Sequence, residues 1–231
     1  MPNFQTATII KHEVPAAKFH DIIFETQEPL TYFPGQFITV KITDNKLNSY
    51  SIAGKVGERQ YGLLVDSTPG GLGSQYFESL KVGDTISFLG PLGHLKFNSN
   101  DGSRHHIFLA TGCGIAPIKH MVETALKEQG CQKPITLYFG LRYKDDIFWD
   151  YYFNELAQQY PNFTYKLCLS RPDETWKGAS GHITDLLKED FKDASHCSAY
   201  ICGNLKMAQE AKEILASLNC PNERVYAEMY G

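Results

Sequence analysis

The chain has 231 residues, 42% hydrophobic and 21% charged, with a formal net charge of −4. This suits a soluble globular protein of one large domain or two ordinary ones, and it argues against a strongly basic nucleic-acid binder. No run reaches the ~20 apolar residues of a membrane helix, and Met1-Pro2-Asn3-Phe4-Gln5 lacks the basic and apolar regions of a secretory signal, so a cytoplasmic location is expected. The six cysteines are Cys113, Cys131, Cys168, Cys197, Cys202 and Cys220. No C-x-x-C or other ligand spacing joins them, which predicts thiols in a reduced compartment, no metal site and no iron–sulfur centre.

In chain order, residues 4–97 hold short runs rich in β-branched and aromatic residues, as at 37–42, 61–65 and 85–88. Pro34-Gly35, Asp44-Asn45, Pro69-Gly70-Gly71 and Gly90-Pro91 punctuate them. Many short strands with turn signals predict an antiparallel barrel or sandwich, interrupted by one short helix at 74–80. The polar stretch 98–103 reads as a linker. Beyond it, strands are expected at 107–110, 135–139, 163–169, 200–202 and 225–227. Helices are expected at 117–129, 149–159, 183–190 and 205–218. That alternation predicts βαβ units and a parallel sheet. The expected domains are 1–100 and 101–231, with ligands just after the strands of the second, facing the first. His105-His106, in a polar region before a strand, are expected to be solvated. The aromatic run 148–153 is expected to be core and sheet cover.

Several turns have chemical potential. In Ala110-Thr111-Gly112-Cys113-Gly114-Ile115-Ala116-Pro117 a strand ends, two glycines follow and a helix begins. Glycines let backbone approach a ligand, and the helix start offers unpaired N–H groups to a pyrophosphate. Pro117 suits a first turn. The third glycine of a dinucleotide fingerprint is missing. A second Gly-rich turn, Pro69-Gly70-Gly71-Leu72-Gly73-Ser74, leads into the short helix, with a cap expected at Ser74 or nearby. Further segments are Asn48-Ser49-Tyr50-Ser51-Ile52, Gly90-Pro91-Leu92-Gly93, Cys202-Gly203 and the C-terminal run with Glu228. Singly, each has an ordinary structural reading.

Their order is the stronger signal. Tyr50-Ser51, Gly70-Gly71 with Ser74, Gly83-Asp84, Gly90-Pro91-Leu92-Gly93 and Gly112 to Pro117 come first. Gly140 with Arg142, Ser170-Arg171, Trp176 with Gly178 and Gly181, Cys202-Gly203 and Glu228 follow. The series resembles the ferredoxin reductase superfamily across nearly the whole chain. The resemblance implies two domains: an antiparallel Greek-key β-barrel that binds FAD, then a Rossmann-like α/β parallel-sheet domain that binds NADH or NADPH. It implies that Tyr50 packs on the isoalloxazine, Ser51 hydrogen-bonds near flavin N5, and Asn48 and Ile52 complete that strand's flavin site. Gly70, Gly71, Leu72, Gly73 and Ser74 would hold the pyrophosphate. Thr111, Gly112 and Gly114 would line the nucleotide site, with Ser170 and Arg171 beside its ribose. Cys202 and Gly203 would lie by the nicotinamide, and Glu228 would help move protons. Ser51, Cys202 and Glu228 are thus the candidate catalytic residues.

Two positions depart from the family. Its Arg-x-Tyr-Ser motif starts with an Arg that pairs with the pyrophosphate, and here that position is Asn48. A basic residue often ends the strand before the Gly-rich turn, and here it is Asp66. Charge-assisted Arg contacts are strong, so looser FAD binding is expected unless Lys46, Lys55 or Arg59 substitutes. The implied function is electron transfer from NADH or NADPH through FAD to a separate acceptor such as a ferredoxin or an oxygenase component. The alternative is a flavin reductase that releases reduced flavin. A non-catalytic binding role is disfavoured by Ser51, Cys202 and Glu228 together.

Overall fold

A computed structural model describes residues 3–16 and 18–230; Met1, Pro2 and Gly231, named above, lie outside that range. The first module comprises β1 (Gln5–Ala16), β2 (Phe19–Thr26), β3 (Phe37–Thr43), β4 (Lys46–Lys55), β5 (Gln60–Asp66), α1 (Leu72–Ser79) and β6 (Thr85–Leu92). The strands close into an antiparallel barrel in the order β1-β2-β5-β4-β3-β6. This decides between the barrel and the sandwich. Ile9, Ile22, Phe24, Ile38, Val40, Ile52, Leu63 and Phe88 fill it, because alternate side chains of each strand point inward. Tyr61 is wholly buried, and its hydroxyl accepts a hydrogen bond from Leu30 N at 2.7 Å.

β1 and β2 lie within the stretch expected to form strands but carry less of the alternating pattern than the runs at 37–42, 61–65 and 85–88. Register shifts between Ile9 and Lys11 and between Glu13 and Ala16 break the alternation in β1. A bulge costs the period-2 pattern that marks a strand. The cap of α1 lies near Ser74 but not on it. Gly71 stands at the N-cap with no side-chain hydrogen bond, and Ser74 lies buried within the helix.

The second module comprises β7 (His105–Thr111), α2 (Ile115–Glu123), β8 (Ile135–Leu141), α3 (Asp150–Gln159), β9 (Phe163–Leu169), β10 (Ala179–Ser180), α4 (Ile183–Asp190), β11 (Cys197–Asn204), α5 (Leu205–Ser217) and β12 (Val225–Tyr230). All neighbouring strands are parallel, in the order β10-β9-β8-β7-β11-β12. Connections from β7 run one way and those through β11 the other, so the strand order reverses between them. α2 is shorter than expected. The chain widens over 124–128, where Gln129 N donates to Thr124 O at 2.9 Å.

His105 and His106 are not solvated as expected. β7 is central, paired on both sides, and begins at His105. His106 is fully buried, with Nδ1 2.7 Å from Ser198 Oγ and its ring against Phe97. Burial drives its pKa down to about 4. The linker 98–103 is tied down: Ser103 Oγ donates to Asp101 Oδ1 at 2.6 Å and Asn98 N donates to the Tyr200 hydroxyl at 3.3 Å.

The modules share one core. Phe19, Ala53, Leu64 and Leu95 of the barrel side pack with Ile118, Met121, Val122 and Phe148. Phe148 lies 4.5 Å from Phe19, centroid to centroid. Lys18 Nζ reaches the buried Asp146 carboxylate at 2.7 Å across the seam. The crevice where the strand order reverses is thereby held against the barrel.

Candidate active site

The nucleotide side of the site is built where β7 and β11 end. Register places Ala110, Cys202 and Glu228 side by side on three adjacent strands, so their side chains share a face. Ligands of open parallel sheets bind outside the carboxyl ends of strands, at such a reversal of order. Thr111 is the hub: its Oγ1 accepts from Asn204 N and Asn204 Nδ2, each at 3.2 Å. Asn204 also caps α5, its Oδ1 accepting from Met207 N at 2.9 Å. A Cβ on Gly203 would come within 2.2 Å of Thr111 Oγ1, so only glycine permits this closeness. Gly112 takes a φ of +53, and a Cβ there would meet no protein atom within 4 Å.

Glu228 is half-buried, and its Oε2 has no hydrogen-bond partner among the described residues. Burial raises its pKa. The Cys113 thiol, on the turn after β7, lies by Asp66, Tyr50 and Cys202, and burial pushes it well above the ordinary thiol range. That turn therefore touches the barrel's own site.

On the barrel side, Lys46, Asn48 and Tyr50 alternate along β4 and share one face. Asn48 Nδ2 donates to the Tyr50 hydroxyl at 3.3 Å, and the Tyr50 ring meets Phe77 of α1 edge-on at 4.6 Å. Burial raises the Tyr50 pKa, partly offset by the Asn48 contact. The start of α1 presses on this pair: a Cβ on Gly73 would lie 2.3 Å from Asn48 Nδ2. Between β4, the end of β5 and α1 runs a cleft of about 520 Å³, lined by Lys46, Asn48, Tyr50, Asp66 and the 71–74 turn. Gly70 and Gly71 leave open space, with no atom within 4 Å of a built Cβ. The first-turn N–H groups of α1 have no side-chain cap.

Ser51 is half-buried, with no side-chain hydrogen bond among the described residues. Ile52 is wholly buried in the barrel, its N–H donating to Gln36 O at 3.0 Å. Ser170 and Arg171 follow β9 directly, their N–H groups donating to Leu141 O and Arg142 O at 3.0 and 2.8 Å. The exposed Arg171 guanidinium lies 3.4 Å from the Tyr143 hydroxyl. Gly114 is buried at the start of α2. One contributor escaped the sequence reading. Asn204 carried a readable signal, an amide immediately before an amphipathic helix. Lys46 was one of three candidate cations, and only strand pairing separates them.

A larger cleft, about 860 Å³, lies between residues 33–34, 96–100 and 129–133. It is far from the strand ends that carry Thr111 and Cys202, because residues 129–133 precede β8. The smaller cleft is the chemically built one.

The residues fit a flavin and a nucleotide. Backbone stands open at Gly70, Gly71 and Gly112, the first-turn N–H groups of α1 have no side-chain cap, and the Glu228 carboxyl has a buried oxygen without a hydrogen-bond partner among the described residues. Two family models match in sequence: an oxidoreductase FAD-binding domain over residues 4–97 and an oxidoreductase NAD-binding domain over residues 108–213. The chain is 30% identical over 230 residues to the ferredoxin–NAD(P)+ reductase component of the naphthalene 1,2-dioxygenase/salicylate 5-hydroxylase systems of a Ralstonia species, covering 97% of this chain and 70% of that protein. It is 26% identical over 224 residues to the ferredoxin–NAD(P)+ reductase component of the naphthalene 1,2-dioxygenase system of Pseudomonas putida, covering 96% of this chain and 68% of the relative. In fold it resembles the Amycolatopsis cytochrome P450 reductase GcoB, with a TM-score of 0.90 at 24% identity over 98% of this chain and 69% of the other. It also resembles a ferredoxin NADP+ reductase from Neisseria gonorrhoeae with bound FAD and NADP, with a TM-score of 0.86 at 18% identity over 99% of each chain.

Fold and site together define an oxidoreductase that works with FAD and a nicotinamide nucleotide. The chain belongs to the ferredoxin reductase-type family, the ferredoxin–NADP reductase superfamily.

Proposed function

We infer that this reductase passes electrons from NADH or NADPH through FAD to a separate redox protein, a ferredoxin or an oxygenase component. The observation that carries the reading is the Ala110–Cys202–Glu228 row at the strand ends, with the 112–114 turn that follows β7 packed against β5 of the barrel. The acceptor follows the relatives, which are reductase components of oxygenase systems. FAD, when bound, supplies the conversion of a two-electron donor's hydride into single electrons.

The chain's own residues do the rest. The domains divide as 1–100 and 101–231. Tyr50 offers a flat face that excludes water, and its raised pKa keeps the phenol neutral. The Ser51 hydroxyl can donate or accept as a neighbouring ring nitrogen changes protonation. Asn48 and the 70–74 turn hold phosphate oxygens through an amide and helix N–H groups, while Ile52 packs the strand from beneath. Thr111, Gly112, Gly114 and Gly203 give a nucleotide close backbone approach. Cys202, small and buried, backs the nicotinamide. Ser170 and Arg171 meet the far ribose. Glu228, held protonated to higher pH than an exposed acid, supplies and recovers a proton at its Oε2. The protein is read as cytoplasmic; no described helix is long and apolar enough to cross a membrane.

The test is turnover of NADH and NADPH by FAD-loaded protein with ferredoxins and oxygenase components as acceptors. S51A and E228Q should each cut kcat about 10²-fold with acceptor present. Wild-type-like rates in both would sink these assignments. Asn48 and Asp66 in the cleft favour a second reading, an NAD(P)H:flavin reductase that releases its reduced flavin. Protein that stays yellow through desalting supports the first reading. Colourless protein that oxidises nucleotide only with added flavin supports the second.

A further inference from the structure

The cleft beside Tyr50 has one cationic side chain in its lining, Lys46, and one carboxylate, Asp66. The other candidate cations are accounted for elsewhere. Arg59 donates to Gln27 O at 2.8 Å and lies 3.7 Å from Glu25, at the start of β5, whereas the cleft is at its end. Lys55 pairs in register with Tyr61, at the opposite end of β4 from Lys46. Lys41, near the hairpin, is held by Asp44 at 2.8 Å. Lys46 is exposed, and no ion pair or hydrogen bond engages it among the described residues.

Geometry fixes what Lys46 can reach. It stands two and four residues before Asn48 and Tyr50 on one face of β4, so roughly 7 and 14 Å separate it from them along the strand. A flat ring against Tyr50 therefore directs its phosphorylated tail toward Lys46 and the uncapped start of α1. Asp66 is turned away in part: its Oδ1 accepts from Thr68 N at 2.8 Å and from Thr68 Oγ1 at 2.5 Å.

We propose that Lys46 is the residue that neutralises the phosphate of the bound flavin, taking by a mobile ammonium the part that Asn48 cannot play. This rests on the reading of the cleft as a flavin site. A single ammonium on a flexible stem binds as a point charge, without the two-pronged geometry of a guanidinium. Flavin retention is therefore sensitive to salt, and the flavin's phosphates, more than its ring, decide affinity.

The experiment measures dissociation constants of FAD, FMN and riboflavin by flavin fluorescence for wild type, K46A, K46R and, as a control, R59A. K46A should weaken FAD and FMN about tenfold and leave riboflavin within about twofold. K46R should restore FAD binding, and R59A should match wild type. Raising ionic strength from about 0.05 M to about 0.5 M should weaken FAD more in wild type than in K46A. FAD binding by K46A equal to wild type would overturn the proposal, as would an equal loss for riboflavin. A wild type that binds none of the three flavins overturns the functional reading itself. Melting curves for each variant separate a lost contact from a lost fold.

Discussion

The unpartnered oxygen of Glu228 sets the pH behaviour of the site. Its folded-state pKa is raised above 4.5 by burial. An acid shifted this way binds more protons folded than unfolded, so stability is lost as pH rises through the folded value. E228Q should therefore melt higher than wild type near neutral pH, and the gap should close below pH 4.5, as matched thermal melts would show. A gap that does not change with pH would contradict the assignment. Gly73 makes a second residue-scale case. G73A should leave thermal stability within about 1 kcal/mol, because alanine's helix preference offsets crowding. It should still weaken FAD binding about tenfold, because the new Cβ displaces the Asn48 amide 2.3 Å away. Unchanged FAD affinity would show that Asn48 does not hold the cofactor.

At the scale of elements, β7 shows how burial reads differently from sequence. Its apolar run 107–110 was legible because a strand paired and covered on both sides must be apolar throughout. His106 was not, because a polar residue looks solvated until both neighbouring strands are known. With a pKa of about 4 against an ordinary 6.5, it binds fewer protons folded than unfolded. Its contribution is complete above pH 6.5 and is lost as pH falls toward 4. His120, on the buried face of α2, behaves alike with a pKa of about 4. Replacing both, as in H106N/H120N, should flatten the dependence of Tm on pH across that window; an unaltered slope would place the titration elsewhere. The glycine turns at 70–73 and 112–114 were legible too, since few residues tolerate such turns. Which of Lys46, Lys55 and Arg59 enters the cleft was not, because strand register decides it. The bulges in β1 weaken that strand's signal for a related reason: they remove the alternation that sequence displays.

Across the whole molecule, the core that runs from Phe19 to Met121 makes the two modules one cooperative body. Calorimetry should record a single unfolding transition, with calorimetric and van't Hoff enthalpies equal. Two resolved transitions would show independent modules. K18A should cost about 3 kcal/mol, because it strands the Asp146 carboxylate, 6% exposed, without its 2.7 Å partner. Denaturant midpoints for K18A and D146N would measure it. The same welded interior restricts how turnover proceeds. A core shared by both modules opposes a swing of one against the other, so the donor is expected to slide into a pre-cut slot and slide out again. Exchange of donor and product then sets the pace, and rates should follow solvent viscosity more closely than isotopic substitution of the transferred hydrogen.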